Sequence, residues 1–247
     1  MARQPRVHVA ETLAEGDRAT LAAGAAHHLA TVLRLRPGDR VAAFNAREGE
    51  FLCRITDIVR GRIDLMVERR LRAPEPEPDL WLLFAPVKRA RLDWLIEKGT
   101  ELGVAAFVPV WTGRTEPQRV NRDRLTIHAT GAAEQCGRLS IPELRAPAPL
   151  AALIAAWPHE RALALCDETG AGRPIAEAAA GWVGRPAAVL VGPEGGFAER
   201  ELDALAKLSF VSRVGLGPRV LRAETAALAA VAVLQAIAGD GRRPRSG

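Results

Sequence analysis

The pattern of hydrophobic and polar positions divides the chain into two parts. In the first part, helical periodicity is confined to about residues 22–33, and the remaining apolar segments are short and separated by turn-forming residues. Three strands are predicted in it, at 40–45, 51–58 and 63–67. This pattern predicts a small, mostly β domain that forms a barrel.

A proline-rich segment marks the boundary between the two parts. Pro74, Pro76 and Pro78 stand at alternate positions, which excludes a helix or a central strand and favours an extended spacer. The predicted organisation is a first domain at 1–72, a linker at 73–79, a second domain at 80–239 and a disordered basic tail at 240–247.

After the linker, short apolar runs alternate with amphipathic segments. Strands are predicted at 80–85, 105–110, 162–166, 187–191 and 211–216. Helices are predicted at 89–102, 122–136, 199–208 and 225–238. Such alternation implies an α/β fold with a parallel sheet covered on both faces. Ligands of these sheets bind beyond the carboxyl ends of the strands.

Composition and charge narrow the class of protein. A hydrophobic fraction of 48% with 26% charged residues is typical of a soluble globular protein. No apolar run reaches the roughly 18 residues of a membrane span, and no apolar segment follows the first residues as in a secretory signal. The three cysteines are far apart, which argues against a disulfide framework or a metal site. We therefore expect a cytoplasmic protein without a metal.

The positive charge is concentrated in the first domain. Residues 1–72 hold 13 arginines against 9 acids, whereas residues 73–247 hold 21 basic groups against 20 acids. This excess favours a polyanionic partner for the first domain. The alternatives are a merely solvated basic face, and a GC-rich genome that enriches arginine and alanine.

Two loops at predicted strand ends carry the candidate chemistry. The loop after 187–191 reads Gly192-Pro193-Glu194-Gly195-Gly196-Phe197, and its three glycines let a ligand approach the backbone closely. The loop after 211–216 runs from Gly217 to Thr225 and is expected at the adjacent strand end. A Gly-Gly turn alone is typical of an ordinary strand–helix connection, and the second loop beside it favours a ligand site. Neither loop contains GxxxxGK(S/T) or GxGxxG, which disfavours a P-loop nucleotidase and a Rossmann dehydrogenase.

The two loops resemble the signature pair of the ribosomal RNA small-subunit methyltransferase E family. Its members are SPOUT-class enzymes that methylate N3 of a uridine in 16S rRNA. The resemblance is carried by the residues at 190–197 and 216–226, and continues in order at 27–39, 98–104, 133–138 and 142–143. It covers nearly the whole chain.

The resemblance implies an N-terminal PUA-like RNA-binding barrel and a C-terminal α/β domain tied in a trefoil knot. It also implies S-adenosylmethionine as cofactor, a homodimer with the site near the subunit interface, and a uridine in the decoding region near the 3′ end of 16S rRNA as substrate. The implied cofactor-binding residues are Gly192, Glu194, Gly195, Gly196, Leu216, Gly217, Leu221, Arg222 and Thr225.

The implied reaction is in-line attack of uridine N3 on the methyl group of the sulfonium, without a metal or a covalent intermediate. Arg222 or Arg138 is expected to donate to the uracil oxygens, because arginine stays protonated and is a poor base. Glu194 or Glu224 would accept the N3 proton, directly or through water, and loss of the proton to solvent is the alternative. Glu224 and Thr225 also suit a helix N-terminus whatever the function.

The RNA contacts implied by the resemblance are made by Arg6, His28, Arg34 and Arg36. The alternative interpretation is that each of them is an ordinary solvated residue of the protein surface. The segment at 112–119 is given no role. Two other functions remain open, namely a SPOUT enzyme acting on tRNA or a ribose 2′-oxygen, and a non-catalytic ribosome-assembly protein that retains the fold.

Overall fold

A computed structural model describes residues 4–115 and 120–243 of the chain. The chain divides into two compact units, and the division falls within the proline-rich segment. The first unit contains the described residues up to Pro76 together with Ala133–Ile141, and the second contains Glu77–Ala132 and the described residues from Pro142 onward. Residues 73–79 form neither helix nor strand, because alternate prolines remove the backbone donors that both would need.

A five-stranded mixed sheet forms the first unit. Its strands are β1 (Arg6–His8), β2 (Arg18–Ala22), β3 (Arg40–Asn45), β4 (Gly49–Val59) and β5 (Arg62–Arg72). They lie in the order β1-β3-β4-β5-β2, with β1 parallel to β3 and the other pairs antiparallel. The apolar side chains of the predicted strands form one core, in which Val41, Cys53, Ile55, Ile63 and Leu65 are fully buried. The three predicted strands are confirmed, and β1 and β2 are additional.

The helical segment of the first unit is shorter and more irregular than its periodicity predicts. Helix α1 spans only Ala23–His27 and continues as a π-helix over His28–Val32. Leu29 is buried in the core, and Leu35 packs against it from just beyond the helix.

A parallel sheet forms the second unit, as predicted. Its strands are β6 (Leu80–Phe84), β7 (Ala106–Trp111), β8 (Glu143–Leu144), β9 (Ala148–Pro149), β10 (Ala162–Cys166), β11 (Arg173–Pro174), β12 (Ala187–Val191) and β13 (Val211–Gly215). The order is β11-β13-β10-β12-β6-β7-β8, and β9 pairs with β7. Every residue of β10 and β12 is buried, as expected for central strands that are covered on both faces.

Within the described residues, six helices belong to the connections of this sheet. They are α2 (Arg89–Glu101), α3 (Arg122–Cys136), α4 (Leu150–Ala155), α5 (Ile175–Ala180), α6 (Glu199–Ala206) and α7 (Ala223–Ile237). The four predicted helices are confirmed, and the short helices α4 and α5 are additional. None of the helices in the described residues is long and apolar enough to cross a membrane.

The beginning of the segment predicted as a disordered tail is ordered. Asp240–Arg242 forms a 3-10 helix, and the Asp240 N–H donates to Gln235 Oε1 at 3.2 Å. Residues 244–247 of the predicted tail lie outside the described residues.

Candidate functional site

A cavity of about 960 Å³ opens at the carboxyl ends of three neighbouring strands of the parallel sheet. The strands β13, β10 and β12 lie side by side in that order, and the loops that follow them line the cavity. Its volume lies within the range of about 300–1,000 Å³ typical of small-molecule sites. The cavity therefore occupies the position where parallel sheets bind their ligands.

One of its three loops was not predicted from the sequence. The expectation that the loops after β12 and β13 lie at adjacent strand ends is wrong, because β10 lies between these strands and pairs with both. The loop at 167–172 consequently forms the middle of the cavity wall. Applying the strand-end rule to the strand predicted at 162–166 would have found it.

Close approach of the chain to itself explains two glycines of the loop after β12. A Cβ atom on Gly192 would lie 2.8 Å from the Phe197 ring, and one on Gly196 would lie 1.9 Å from Glu168 Oε1. Gly196 also has φ +69°, a left-handed conformation that side chains disfavour. Gly192 thus lets the Phe197 ring pack against its own loop, and Gly196 lets this loop approach the Glu168 side chain of the neighbouring loop at 167–172.

The loop after β13 contributes backbone and two arginines to the cavity wall. Gly217 has φ +100° and open space where a Cβ would stand. Arg219 and Arg222 are both exposed and line the cavity. Arg222 is the N-cap residue of α7 and is exposed at the cavity, so its guanidinium is placed where a ligand can reach it.

Arg91 contacts acidic residues of two of the cavity loops, although it belongs to no recognisable sequence motif. It lies in the first turn of α2 and lines the cavity. Its Nη1 donates to Glu194 Oε1, and its Nε lies 3.5 Å from Glu224 Oε1. Arg91 and Glu194 are 103 residues apart in the chain, so no local pattern could have predicted this contact.

The two carboxylates that Arg91 contacts differ in their surroundings. The Glu194 side chain is 61% exposed and lines the cavity, whereas the Glu224 side chain is only 10% exposed. Glu224 lies in the first turn of α7, and its buried Oε2 has no hydrogen-bond partner among the described residues. Since a buried charge is costly unless it is compensated, Arg91 and the positive end of the helix dipole are what stabilise Glu224.

The loop after β7 is tied by one hydrogen bond to the glycine-rich loop after β12 and by another to helix α6, which follows that loop. Arg114 Nη1 donates to the Gly195 carbonyl at 2.8 Å, and the Gly113 N–H donates to Glu201 Oε1 at 2.7 Å. The other oxygen of Glu201 accepts the N–H of Ala198 at 2.9 Å. The sequence assigns no role to the segment at 112–119. In the structure, its residues Gly113 and Arg114 hold the glycine-rich loop and the start of α6 in place. Its residues 116–119 lie outside the described residues.

Asp167 anchors the middle loop of the cavity. Its buried carboxylate accepts hydrogen bonds from Arg213 Nε at 2.9 Å and Nη2 at 2.6 Å. Burial alone would raise the pKa of Asp167, but hydrogen bonds from Thr169 and Arg213 outweigh burial and hold the pKa below its usual range. Asp167 is accordingly charged at neutral pH and fixes the start of the loop against β13.

The cavity wall offers no activated thiol. Burial raises the pKa of the Cys166 thiol to about 12, so that this group is protonated at neutral pH and unsuited to nucleophilic attack. Within the part of the chain that the structure describes, no group of three or more His, Cys, Asp or Glu side chains is arranged to hold a metal ion.

Most of the expected cofactor-binding residues meet in this cavity. Those that line it are Gly192, Glu194, Gly196, Leu216, Gly217, Leu221 and Arg222. Gly195 and Thr225 are not in its lining. Arg138, the other candidate donor to the substrate, lies in the first unit, where its Nε donates to Ser140 Oγ at 2.9 Å.

The candidate RNA contacts divide into one buried and three exposed residues. The Arg6 side chain is only 5% exposed, and it donates to Glu50 and to the carbonyls of Ala133 and Arg138. The expectation that Arg6 contacts RNA is therefore corrected, because this guanidinium is used inside the first unit. The other three candidates, His28, Arg34 and Arg36, are exposed.

Two family models match the chain. The RNA methyltransferase domain matches residues 74–235, and the RNA methyltransferase PUA domain matches residues 21–67. Similar proteins include the ribosomal RNA small subunit methyltransferases E of Rickettsia conorii and Mycobacterium bovis. The first is 31% identical over 92% of this chain and 93% of its own, and the second is 34% identical over 84% and 83%.

Solved structures resemble the whole chain as well. Ribosomal RNA small subunit methyltransferase E from Neisseria gonorrhoeae, bound to S-adenosylmethionine, has a TM-score of 0.85 at 27% identity, covering 96% of this chain and 99% of its own. A methyltransferase from Legionella pneumophila in complex with the same cofactor has a TM-score of 0.86 at 29% identity, covering 97% and 100%.

Proposed function

This chain belongs to the ribosomal RNA small subunit methyltransferase E family, and from that premise we propose that it methylates N3 of a specific uridine in 16S rRNA. The donor would be S-adenosylmethionine, and the uridine would lie in the decoding region near the 3′ end. The observation that carries the proposal is the cavity at the ends of β13, β10 and β12, whose wall contains both loops of the sequence signature. The fold class is that of the SPOUT methyltransferases.

The residues of the cavity suit this cofactor. Gly196 and Gly217 have positive φ, and a Cβ at Gly196 would fill space that is already occupied by Glu168. At Gly217, where nothing lies within 4 Å of a Cβ, the backbone can approach a nucleoside without interference from a side chain. Carboxylates and guanidinium groups both line the cavity, as a ligand with a sulfonium, an ammonium and a carboxylate requires.

When bound, S-adenosylmethionine supplies an electrophilic methyl group on a positively charged sulfur, which leaves as the neutral thioether of S-adenosylhomocysteine. The protein's main contribution would be to align N3 with that methyl group, an effect that is large for reactions of two substrates. Arg222 is exposed in the cavity wall without a capping bond. We assign it, rather than Arg138, as the donor to the uracil O2 or O4 that gains charge when N3 loses its proton.

The proton on N3 has to be removed for the bond to the methyl group to form. Glu194 lines the cavity and has an exposed carboxylate, whereas Glu224 is nearly buried and lies outside the lining. We therefore assign Glu194 as the acceptor, directly or through a water molecule.

Two further elements of the proposal concern partners. We propose that the enzyme acts as a homodimer with the site near the subunit interface, and that it works in the cytoplasm on the small ribosomal subunit. The positive charge of residues 1–72 supports an RNA partner for the first unit.

The test is to incubate the purified protein with methyl-labelled S-adenosylmethionine and small ribosomal subunits that lack the modification. Digestion of the 16S rRNA to nucleosides, followed by mass spectrometry, distinguishes 3-methyluridine from a 2′-O-methylated nucleoside, and primer extension maps the position. We expect one 3-methyluridine near the 3′ end. Transfer to tRNA only, transfer to a ribose, or no transfer to either subunits or free 16S rRNA would each overturn the proposal.

A further inference from the structure

The middle loop of the cavity wall, at 167–172, is held in place on both sides of Glu168. The buried carboxylate of Asp167 accepts two hydrogen bonds from an arginine of β13, and the Thr169 N–H donates to Asp167 Oδ1 at 2.9 Å. At the other end of the loop, a Cβ on Gly172 would lie 2.5 Å from the backbone of β13, so this glycine lets the chain return closely against that strand. Glu168 is therefore carried by a loop whose backbone is fixed at both ends.

The Glu168 side chain lies against the backbone of the glycine-rich loop after β12. Its Oε1 occupies the space that a Cβ of Gly196 would need, at 1.9 Å from the position of that atom. Gly196 is buried, whereas Glu168 is exposed and lines the cavity. Any larger residue at position 196 would displace the carboxylate. A glycine of the sequence signature thus makes room for an acidic residue that lies outside the signature.

Glu168 differs from the other acidic residues at the cavity in having no basic partner. Asp167 is paired with an arginine of β13, and Glu194 and Glu224 both contact Arg91. Within the residues that the structure describes, the Glu168 carboxylate forms no ion pair and accepts no hydrogen bond. Its negative charge is therefore left for a ligand of the cavity.

The methyl donor and the product that it leaves behind differ in charge. S-adenosylmethionine has a sulfonium, an ammonium and a carboxylate, and therefore a net positive charge. S-adenosylhomocysteine has a neutral thioether in place of the sulfonium, and therefore no net charge. A fixed negative charge in the cavity stabilises the donor by Coulombic attraction and has little effect on the product. Apart from the methyl group the two molecules are otherwise identical, so their shared nucleoside and amino acid parts cannot distinguish them.

We infer that Glu168 determines the preference of this site for the charged donor over the neutral product. Its carboxylate, which lies against Gly196, attracts the sulfonium of S-adenosylmethionine, and this attraction is lost once the methyl group has been transferred. The inference rests on the proposed function in its choice of cofactor. Glu168 is accordingly a specificity-determining residue that reduces competition by the product, and it takes no part in the proton transfer assigned to Glu194.

Calorimetric binding of three related ligands to the full chain tests this inference. S-adenosylmethionine and S-adenosylhomocysteine differ by the sulfonium, and sinefungin has a protonated amine where the donor has its methylated sulfur. Glu168→Gln removes the charge and keeps the size of the side chain, whereas Glu168→Asp keeps the charge. Glu199→Gln is the matched control, because Glu199 is an exposed acidic residue in the first turn of α6 and lies outside the cavity lining.

We expect Glu168→Gln to bind S-adenosylmethionine and sinefungin about tenfold more weakly, and S-adenosylhomocysteine within about twofold of the unchanged protein. The retained binding of S-adenosylhomocysteine also shows that the variant is folded. Glu168→Asp should keep most of the preference for the two charged ligands, and Glu199→Gln should bind all three ligands as the unchanged protein does. Because Glu168 is exposed, the preference of the unchanged protein should decrease as the salt concentration is raised.

Three results with Glu168→Gln would overturn the inference. Equal weakening of all three ligands would mean that Glu168 acts on their shared part or only supports the loop, and unchanged binding of all three would mean that its charge has no effect. A slower single-turnover methyl transfer at unchanged Kd values would instead identify Glu168 as the proton acceptor. Methyl transfer to a site other than uridine N3 would overturn the proposed function and leave the binding results intact, so the two failures are distinguishable.

Discussion

Arg91 Nε lies 3.5 Å from Glu224 Oε1, and the same guanidinium hydrogen bonds to Glu194 through Nη1. The three residues come from the start of α2, the loop after β12 and the start of α7. Arg91 is therefore the point at which two loops of the cavity wall are fixed to one helix. Because Glu224 is nearly buried and its Oε2 has no hydrogen-bond partner among the described residues, its contact with Arg91 through Oε1 is the less replaceable of the two.

Replacing Arg91 should weaken cofactor binding more than it affects the fold. We expect Arg91→Ala to raise the Kd for S-adenosylmethionine about tenfold, or about 1.4 kcal/mol, because the loops are no longer held in the binding arrangement. Arg91→Ala leaves the nearly buried Glu224 carboxylate compensated only by the dipole of α7, so the protein should remain folded but melt at a lower temperature. Isothermal titration calorimetry measures the Kd.

The control for this prediction is Arg89→Ala, which removes an exposed arginine from the same helical turn. Arg91→Lys should be intermediate, since a lysine has no planar fork with which to contact two carboxylates. An Arg91→Ala variant with the cofactor affinity of Arg89→Ala would refute the role of Arg91.

Replacing the two carboxylates beside Arg91 should have different effects on kcat and on the Kd for the cofactor. We expect Glu194→Gln to lower kcat by about 10²-fold or more, as for the loss of a general base, with little change in the Kd for the cofactor. Glu224→Gln should instead raise that Kd, because it removes the buried partner of Arg91. Single-turnover methylation of small subunits gives the rate, and calorimetry gives the Kd. A large loss of kcat in Glu224→Gln at unchanged Kd would reverse the assignment.

The geometry explains which parts of the site were predictable. The bounds of β3, β10, β12 and α3 agree with the predicted 40–45, 162–166, 187–191 and 122–136, because short apolar runs bounded by turn residues and helical periodicity are local signals. β1 has only three residues and gives no such signal. The position of β10 between β12 and β13, and the contact of Arg91 with Glu194, depend on the order of strands in the sheet. No local pattern encodes that order.

Arg222 and Arg138 were equal candidates as donors to the uracil oxygens, and the structure now favours Arg222. We expect Arg222→Ala to lower the rate of methyl transfer by about 10²–10³-fold, with little change in the melting temperature, since Arg222 is exposed. Arg138→Ala should affect the rate by much less, because Arg138 does not line the cavity. Activity of Arg222→Ala within a few-fold of the unchanged protein would refute this assignment.

His8 gives the first unit a specific dependence on pH. Burial lowers the pKa of His8 below its ordinary value of 6.5, so the folded state favours the neutral ring while the unfolded chain takes up the proton. The free energy of unfolding should therefore fall as the pH drops through and below 6.5. Burial raises the pKa of Glu134, whose carboxylate accepts the His8 N–H. Protonation of Glu134 therefore favours the folded state and opposes the effect of His8 on the free energy of unfolding.

A comparison with His8→Phe isolates the contribution of His8. Urea unfolding of both proteins between about pH 7.5 and pH 5 should show the unchanged protein losing stability relative to the variant as the pH falls, since other titrating groups are common to both. A difference in unfolding free energy that stays constant over this range would contradict the prediction.

Gly196 should be intolerant of even the smallest side chain. A Cβ there would meet Glu168 Oε1 at 1.9 Å, and φ of +69° disfavours any L-residue by roughly 1 kcal/mol or more. We expect Gly196→Ala to shift the loop after β12 and to raise the Kd for S-adenosylmethionine more than tenfold. Gly181→Ala is the matched control, because Gly181 has φ −83° and its nearest neighbour would lie 3.8 Å from the new Cβ. Adding Glu168→Ala to Gly196→Ala relieves the contact but not the backbone strain, so affinity should recover only in part. Full affinity in Gly196→Ala alone would mean that this loop does not approach the cofactor.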